Sequence, residues 1–152
     1  MIEVWRIETE ENQQKAFQIR EKVFVEEQKV PPALEYDTHE LASRHFLAYL
    51  NGQAVGTARW RKTENGIKLE RFAVLPEARG LGVGQALVQA VMNDIDAHRH
   101  SAGYVRYLHA QKEAVSLYAR FGFEIDGEEF EEAGIAHFKM IWQNPDLASL
   151  NQ

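Results

Sequence analysis

The stretch over residues 69–95, LERFAVLPEARGLGVGQALVQAVMNDI, holds the densest chemical signal in the chain. An extended segment meets a proline, and Gly80, Gly82 and Gly84 then open a helical pattern. A strand-to-helix turn of this kind aims unpaired main-chain N–H groups, and the positive end of a helix dipole, at one point. Glycines there let an anion approach the backbone without a Cβ in the way. The chemistry is therefore anion binding, with a phosphate or pyrophosphate as the natural guest. A nucleotide P-loop needs Lys and then Ser or Thr after its last glycine, where this chain has Gln85 and Ala86. A dinucleotide fingerprint fails as well, because the sixth residue counted from Gly80 is Gln85 and from Gly82 is Leu87. The spacing that is met is Arg-x-x-Gly-x-Gly, by Arg79, Gly82 and Gly84.

The elements around this turn follow from pattern. At 152 residues the chain is expected to form one core, over residues 1–143, with residues 144–152 as a peripheral tail. Apolar residues at 45% and charged residues at 26% describe a globular composition. A net charge of −6 argues against a generic nucleic-acid or anionic-membrane surface. The absence of cysteine excludes disulfides, cysteine-ligated metals and an acyl-cysteine intermediate. Apolar runs are too short to span a membrane, and MIEVWRIETEEN does not read as a signal peptide, so a cytoplasmic protein is expected. Alternation predicts a first strand at residues 2–6. Helical spacing from Ala16 to Phe24 predicts a helix over about residues 10–25, followed across residues 30–40 by a loop, either plain or holding a short helical turn. Asn51-Gly52 between apolar runs predicts a hairpin, and Glu64-Asn65-Gly66 leads into a third strand at residues 67–75. A helix follows the glycines, with His98, Arg99 and His100 suiting its C-terminal dipole. A strand at residues 104–110, a helix at 113–121 and a strand pair at 123–125 and 135–142 complete the order β-α-β-β-β-α-β-α-β-β. Trp5, Trp60 and Trp142 read as core and strand-face packing.

The glycine turn resembles the acyl-CoA signature of the GNAT superfamily of N-acyltransferases. Gln111, Ala114, Tyr118, Gly122 and Phe123, in QKEAVSLYARFGF, match a second pattern of that family, except that Asn is usual where Gln111 stands. At finer scale IREKVFVEEQKVP, LEYD, His45, GTARWR, LERFAV and GIAH resemble the YjcF-like (ElaA-like) branch. The resemblance spans most of residues 1–143. It implies an α/β GNAT fold: a central mixed, mostly antiparallel sheet, helices on both faces, and a splayed strand pair that holds acyl-CoA.

The same resemblance implies an acetyl-CoA-dependent N-acetyltransferase. It would pass an acetyl group directly to a primary amine of a small molecule or peptide. Its partners are acyl-CoA and that amine, with no metal, nucleic acid or membrane, and a homodimer stays open. The alternatives are a non-catalytic CoA-binding module and an acyltransferase similar to acyl-homoserine-lactone synthases. The pantetheine amides are expected on the backbone of Phe72, Ala73 and Val74, and the pyrophosphate on the N–H groups of Arg79, Gly80, Leu81, Gly82, Val83 and Gly84. The Arg79 side chain adds charge there or faces solvent. Gln111 stands at a cofactor-contact position. Tyr118 matches the family's acid, which protonates the departing thiolate; alternatively it packs its ring and satisfies its hydroxyl. A protonated alkylamine must lose a proton before it attacks. Glu70, expected by period two on one face with Phe72 and Val74, is either the base or the partner of Arg59 or Arg61 in a salt bridge. Histidine titrates near neutrality, so His109 is a second candidate base, or a packing residue. Glu27 and Gln28 match the branch's EQ pair and line the acceptor cleft, or are solvated at a helix end. The acidic loop EYDTHE over residues 35–40, with Glu26, Glu27 and His45, forms a negative wall for a cationic amine, or a metal site for which no spacing pattern argues.

Overall fold

The computed structural model describes residues 1–98, 101 and 103–144. Its elements are β1 (Ile2–Arg6), α1 (Glu10–Arg20), a π-helical segment (Glu21–Glu27), α2 (Pro32–Glu35), β2 (Arg44–Leu50), β3 (Gln53–Thr63), β4 (Gly66–Val74), α3 (Val83–Ala97), β5 (Arg106–Gln111), α4 (Val115–Ala119), β6 (Phe123–Ile125), β7 (Phe130–Glu132) and β8 (Ile135–Trp142). The expected order is present, with α2 and β7 added. The strands form one sheet in the order β1-β2-β3-β4-β5-β8-β6, and β7 also pairs with β8. Every pairing is antiparallel except β4 with β5.

Local chemistry explains the boundaries. Thr9 caps α1 by accepting from the Asn12 N–H, and Asn51 and Gly52 take the left-handed conformations of a tight hairpin turn. The first helix runs past the expected residue 25 by widening into the π-helical segment, which buries Val23 and Phe24. The third helix hides Val83, Leu87, Val88, Val91, Met92 and Ile95 along one stripe. It ends at Ala97, capped by His98; Arg99 and His100, the other cations expected there, lie outside the described residues, as does the tail from residue 145. Burial is unbroken from Val55 to Trp60 on β3, which requires cover on both faces. Leu87 and Val83 of α3 press on Gly56, where a Cβ would meet them at 3.0 and 3.1 Å. Trp60 is buried and donates to Asp94, whereas Trp5 is 62% exposed on the edge strand β1, so Trp5 is not the core residue expected. No helix among the described residues is long and apolar enough to cross a membrane.

The pairing of β4 with β5 creates the site. It lasts three residues, Ile67 to Leu69 against Arg106 to Leu108. At its start the strands are pinched: a Cβ on Gly66, at φ +129°, would lie 2.3 Å from the Val105 carbonyl oxygen. At its end β4 bulges. Thr57 faces Ala73 but Arg59 faces Glu70, so β4 carries an extra residue, and Arg71 takes φ +59°. Beyond the bulge β4 stays with β3, β5 stays with β8, and the two diverge. Glu70 and Phe72 line the cavity that results, as alternation expects, but the bulge adds Arg71 between them, which alternation would turn away.

Candidate active site

The glycine turn joins Leu75 to α3. Gly80 and Gly82 have φ +76° and +93°, and Gly82 caps α3 with no side-chain bond. The first backbone bond across the turn runs from the Ala86 N–H to the Gly82 carbonyl. Among the described residues no backbone carbonyl accepts from the N–H groups of residues 80–85. Unpaired donors at a helix N-terminus are an arrangement that suits an anion. The Arg79 N–H is already used, by Pro76 at 3.3 Å. Its side chain is committed too: Nε donates to the Val74 carbonyl and the two Nη atoms to Glu27, at 2.7 and 2.6 Å. This bond holds the Glu27 carboxyl below its usual range. Glu27 therefore braces the turn and does not line the cavity.

The cavity between the diverging strands has a volume of about 490 Å³. It brings together six of the expected residues, Glu70, Phe72, His109, Tyr118, Gln111 and Gln28. Tyr118 projects from α4, its ring edge-on to Phe72 at 5.5 Å. The side chain is buried, which pushes its pKa up, and no described residue accepts a hydrogen bond from its hydroxyl. Gln28 and Gln111, expected to serve acceptor and cofactor separately, bond to each other in both directions at 3.2 and 2.9 Å.

His109 has a partner that sequence reasoning missed. Its Nδ1 lies 3.1 Å from Glu132 Oε1, and Phe130 packs edge-on against its ring. The His109 bond holds the Glu132 carboxyl low. His137 donates from Nδ1 to the Ile135 carbonyl and turns Nε2 to within 3.7 Å of the same carboxylate. Glu132 is on β7, which the sequence reading lacked. The available signal was the Ala133-Gly134 pair, both at positive φ, the mark of a two-residue hairpin turn.

Glu70 is not free. Arg59 Nε and Arg61 Nε each donate to it at 2.8 Å, and Lys68 lies 3.4 Å away. Burial alone would raise its carboxyl, but these cations outweigh burial and hold it at about 2. The acidic loop is not the free negative wall expected. Glu35 pairs with Arg20 at 2.6 Å, Asp37 with Arg59 at 2.6 Å, and Glu40 with both arginines. His45 donates to the Glu40 carbonyl, and burial lowers its pKa. The arginines that neutralise the loop come from α1 and β3, far away in sequence.

A model of the acetyltransferase (GNAT) domain matches residues 7–144. The chain belongs to the GNAT acetyltransferase family. It is 39% identical over 133 residues to the uncharacterized N-acetyltransferase YjcF of Bacillus subtilis (strain 168), covering 87% of this chain and 93% of that protein. The crystal structure of Escherichia coli ElaA superposes with a TM-score of 0.83 at 29% identity, over 94% of this chain and 100% of that one. A GNAT family acetyltransferase from Elizabethkingia anophelis, solved with acetyl-CoA bound, shares the fold at a TM-score of 0.61 and 14% identity, over 92% and 94% of the two chains. The relatives support the YjcF-like and ElaA-like branch. The chain is thus an acetyltransferase of a family that takes acetyl-CoA as cosubstrate, and the splay between β4 and β5 is that family's fold feature in this molecule.

Proposed function

We propose that this enzyme transfers the acetyl group of acetyl-CoA directly to the primary amine of a small molecule or peptide. The observation that carries the reading is the continuity of two features. The open N–H cradle at residues 80–85 lies at one end of the unpaired edge of β4, and the cavity with Tyr118 lies at the other. The residues present fit coenzyme A. The main-chain donors of Gly80, Leu81, Gly82, Val83 and Gly84 suit the diphosphate. The backbone of Phe72, Ala73 and Val74, past the bulge, suits the pantetheine amides as an added strand. Arg79 holds the corner of the turn through Glu27.

In the transfer, the amine nitrogen attacks the thioester carbonyl carbon, the C–N bond forms and the C–S bond breaks. A main-chain N–H of β4 near Val74 stabilises the oxyanion. Burial keeps the Tyr118 hydroxyl protonated at neutral pH; it donates to the departing thiolate, and the second proton that the nitrogen sheds as the amide forms restores it. The ammonium proton goes to His109, held by Glu132, and not to Glu70, whose carboxylate at about 2 is too weakly basic. Gln28 and Gln111 act as one amide pair in the acceptor wall. No cysteine occurs, so no acyl-cysteine forms.

The test is a panel of primary amines and peptides with acetyl-CoA, followed by release of free thiol, alongside calorimetric CoA binding. Thiol release that requires an amine is the expected result. Tight CoA binding with no thiol released by any amine would overturn the reading in favour of a CoA-binding module.

A further inference from the structure

The ion network beside the cavity is one anion short. Five cations, Arg20, Arg59, Arg61, Lys68 and Arg71, meet four carboxylates, Glu35, Asp37, Glu40 and Glu70. The other carboxylate on the cavity, Glu132, lies within 4 Å of His109 and His137 and, among the described residues, of none of the five; Lys68 reaches it only at longer range.

The deficit falls on Arg71. A guanidinium has five N–H donors. Arg20 and Arg59 use theirs in bonds of 2.6 to 3.1 Å. Arg71 makes only long contacts, from Nη2 to the Leu34 carbonyl at 3.3 Å and to Asp37 at 3.2 Å. Its Nε is 3.4 Å from Glu35 and is buried with no hydrogen-bond partner. Its Nη1 also has none among the described residues, but is not buried. The side chain is 22% exposed, into the cavity that holds Tyr118 and His109. The backbone beneath it stands at φ +59°, which an arginine seldom adopts. An under-bonded guanidinium held at a strained position on the wall of a cavity is the arrangement that a ligand anion completes.

We propose that the acceptor amine carries an anionic group, a carboxylate or a phosphate monoester, and that Arg71 binds it on the α2 side of the cavity. This rests on the acetyl-transfer reading above. Arg61 and Lys68 line the same cavity but are already paired with Glu70, which leaves Arg71 as the cation for the anion, and the amine end is left toward His109 and Tyr118. Selection of the acceptor then lies in the charge of its far end.

Matched acceptor pairs test this: 4-aminobutyrate against butylamine, and 2-aminoethyl phosphate against ethanolamine. Thiol release gives kcat and KM for the wild type, for Arg71→Asn, whose side chain tolerates the left-handed backbone, and for Arg71→Lys, which restores the charge. The wild type is expected to favour an acidic member of a pair by at least tenfold in kcat/KM, through KM. That ratio is expected to fall to near one in Arg71→Asn and to return in part in Arg71→Lys. A purely structural Arg71 would slow both members of a pair alike and leave the ratio where it was. Preference in one pair only tells carboxylate from phosphate. Equal or better turnover of the uncharged members, or a ratio unmoved by Arg71→Asn, overturns the proposal and leaves acetyl transfer standing. If no amine releases thiol, the transfer reading itself fails. Titration of the CoA-loaded wild type with 4-aminobutyrate and 2-aminoethyl phosphate then still decides the anion site, and no binding of either at millimolar concentration overturns it.

Discussion

The glycine turn and the cavity lie at the two ends of one strand edge and are built on opposite principles. The turn takes its donors from the main chain of a single contiguous segment, and no side chain caps it. The cavity takes its polar groups from side chains on the end of the π-helical segment, α2 and its following loop, β3, β4, β5, α4, β7 and β8, and most of them are held by another side chain. A main-chain site depends on backbone conformation and tolerates side-chain change. A side-chain network depends on partners, and loses much when one is removed.

The largest effect separating the two should come from Arg59. It is 1% exposed and bonds Asp37, Glu40 and Glu70 together. Arg59→Met removes one buried partner from each of three carboxylates, which keep only Arg71, Arg20, and Arg61 with Lys68 respectively, and should cost about 3 kcal/mol. A fall in melting temperature of roughly 10 °C would report this. An unchanged melting point would break the contrast. At the turn, by comparison, Arg79→Ala removes an ion pair between half-exposed groups, and its cost should stay within about 1 kcal/mol.

Next in size is Tyr118→Phe. It should lower kcat by about 10²-fold, as loss of a general acid does, while CoA affinity measured by calorimetry stays put. Equal loss in both would merge the two regions into one. Gly82→Val should act the other way round. A β-branched residue at φ +93° is strained by about 1–2 kcal/mol, so CoA affinity should drop by around tenfold or more. Unchanged affinity would show that the donors of this turn are not the CoA site.

The smallest effect is in pH dependence. His45 is buried and its pKa is lowered, so the unfolded chain takes up a proton first. Its contribution to stability is complete above an unfolded pKa of about 6.5 and declines as pH falls below that value. Glu70 adds a second loss between its unfolded value of 4.5 and about 2. Urea midpoints between pH 7.5 and pH 3 should therefore fall in two stages, and His45→Gln should remove only the upper one.

The same contrast decides what could be read from sequence. Asn51-Gly52, Gly80 and Gly82 each declare a backbone conformation, and the hairpin and the strand-to-helix turn stand where they declare them. Gln111 and Gln28 were read apart because residue spacing cannot show that two amides on different elements face each other. Glu35, Asp37 and Glu40 looked like an anionic wall because their charge is visible in one loop, while Arg20 and Arg59 are brought to them only by the packing of α1 on β3. The bulge at Arg71 has no glycine to announce it, so strict alternation placed Glu70 and Phe72 correctly on the cavity and missed Arg71 between them.

Glu27 and Gln28 are neighbours in the chain, yet one holds Arg79 beyond the end of β4 and the other holds Gln111 at the tip of β5. The last turn of the first helix is thus a tie-rod across the mouth of the fork. The fork cannot widen without stretching it, so its gauge is set by two adjacent side chains that belong to neither prong.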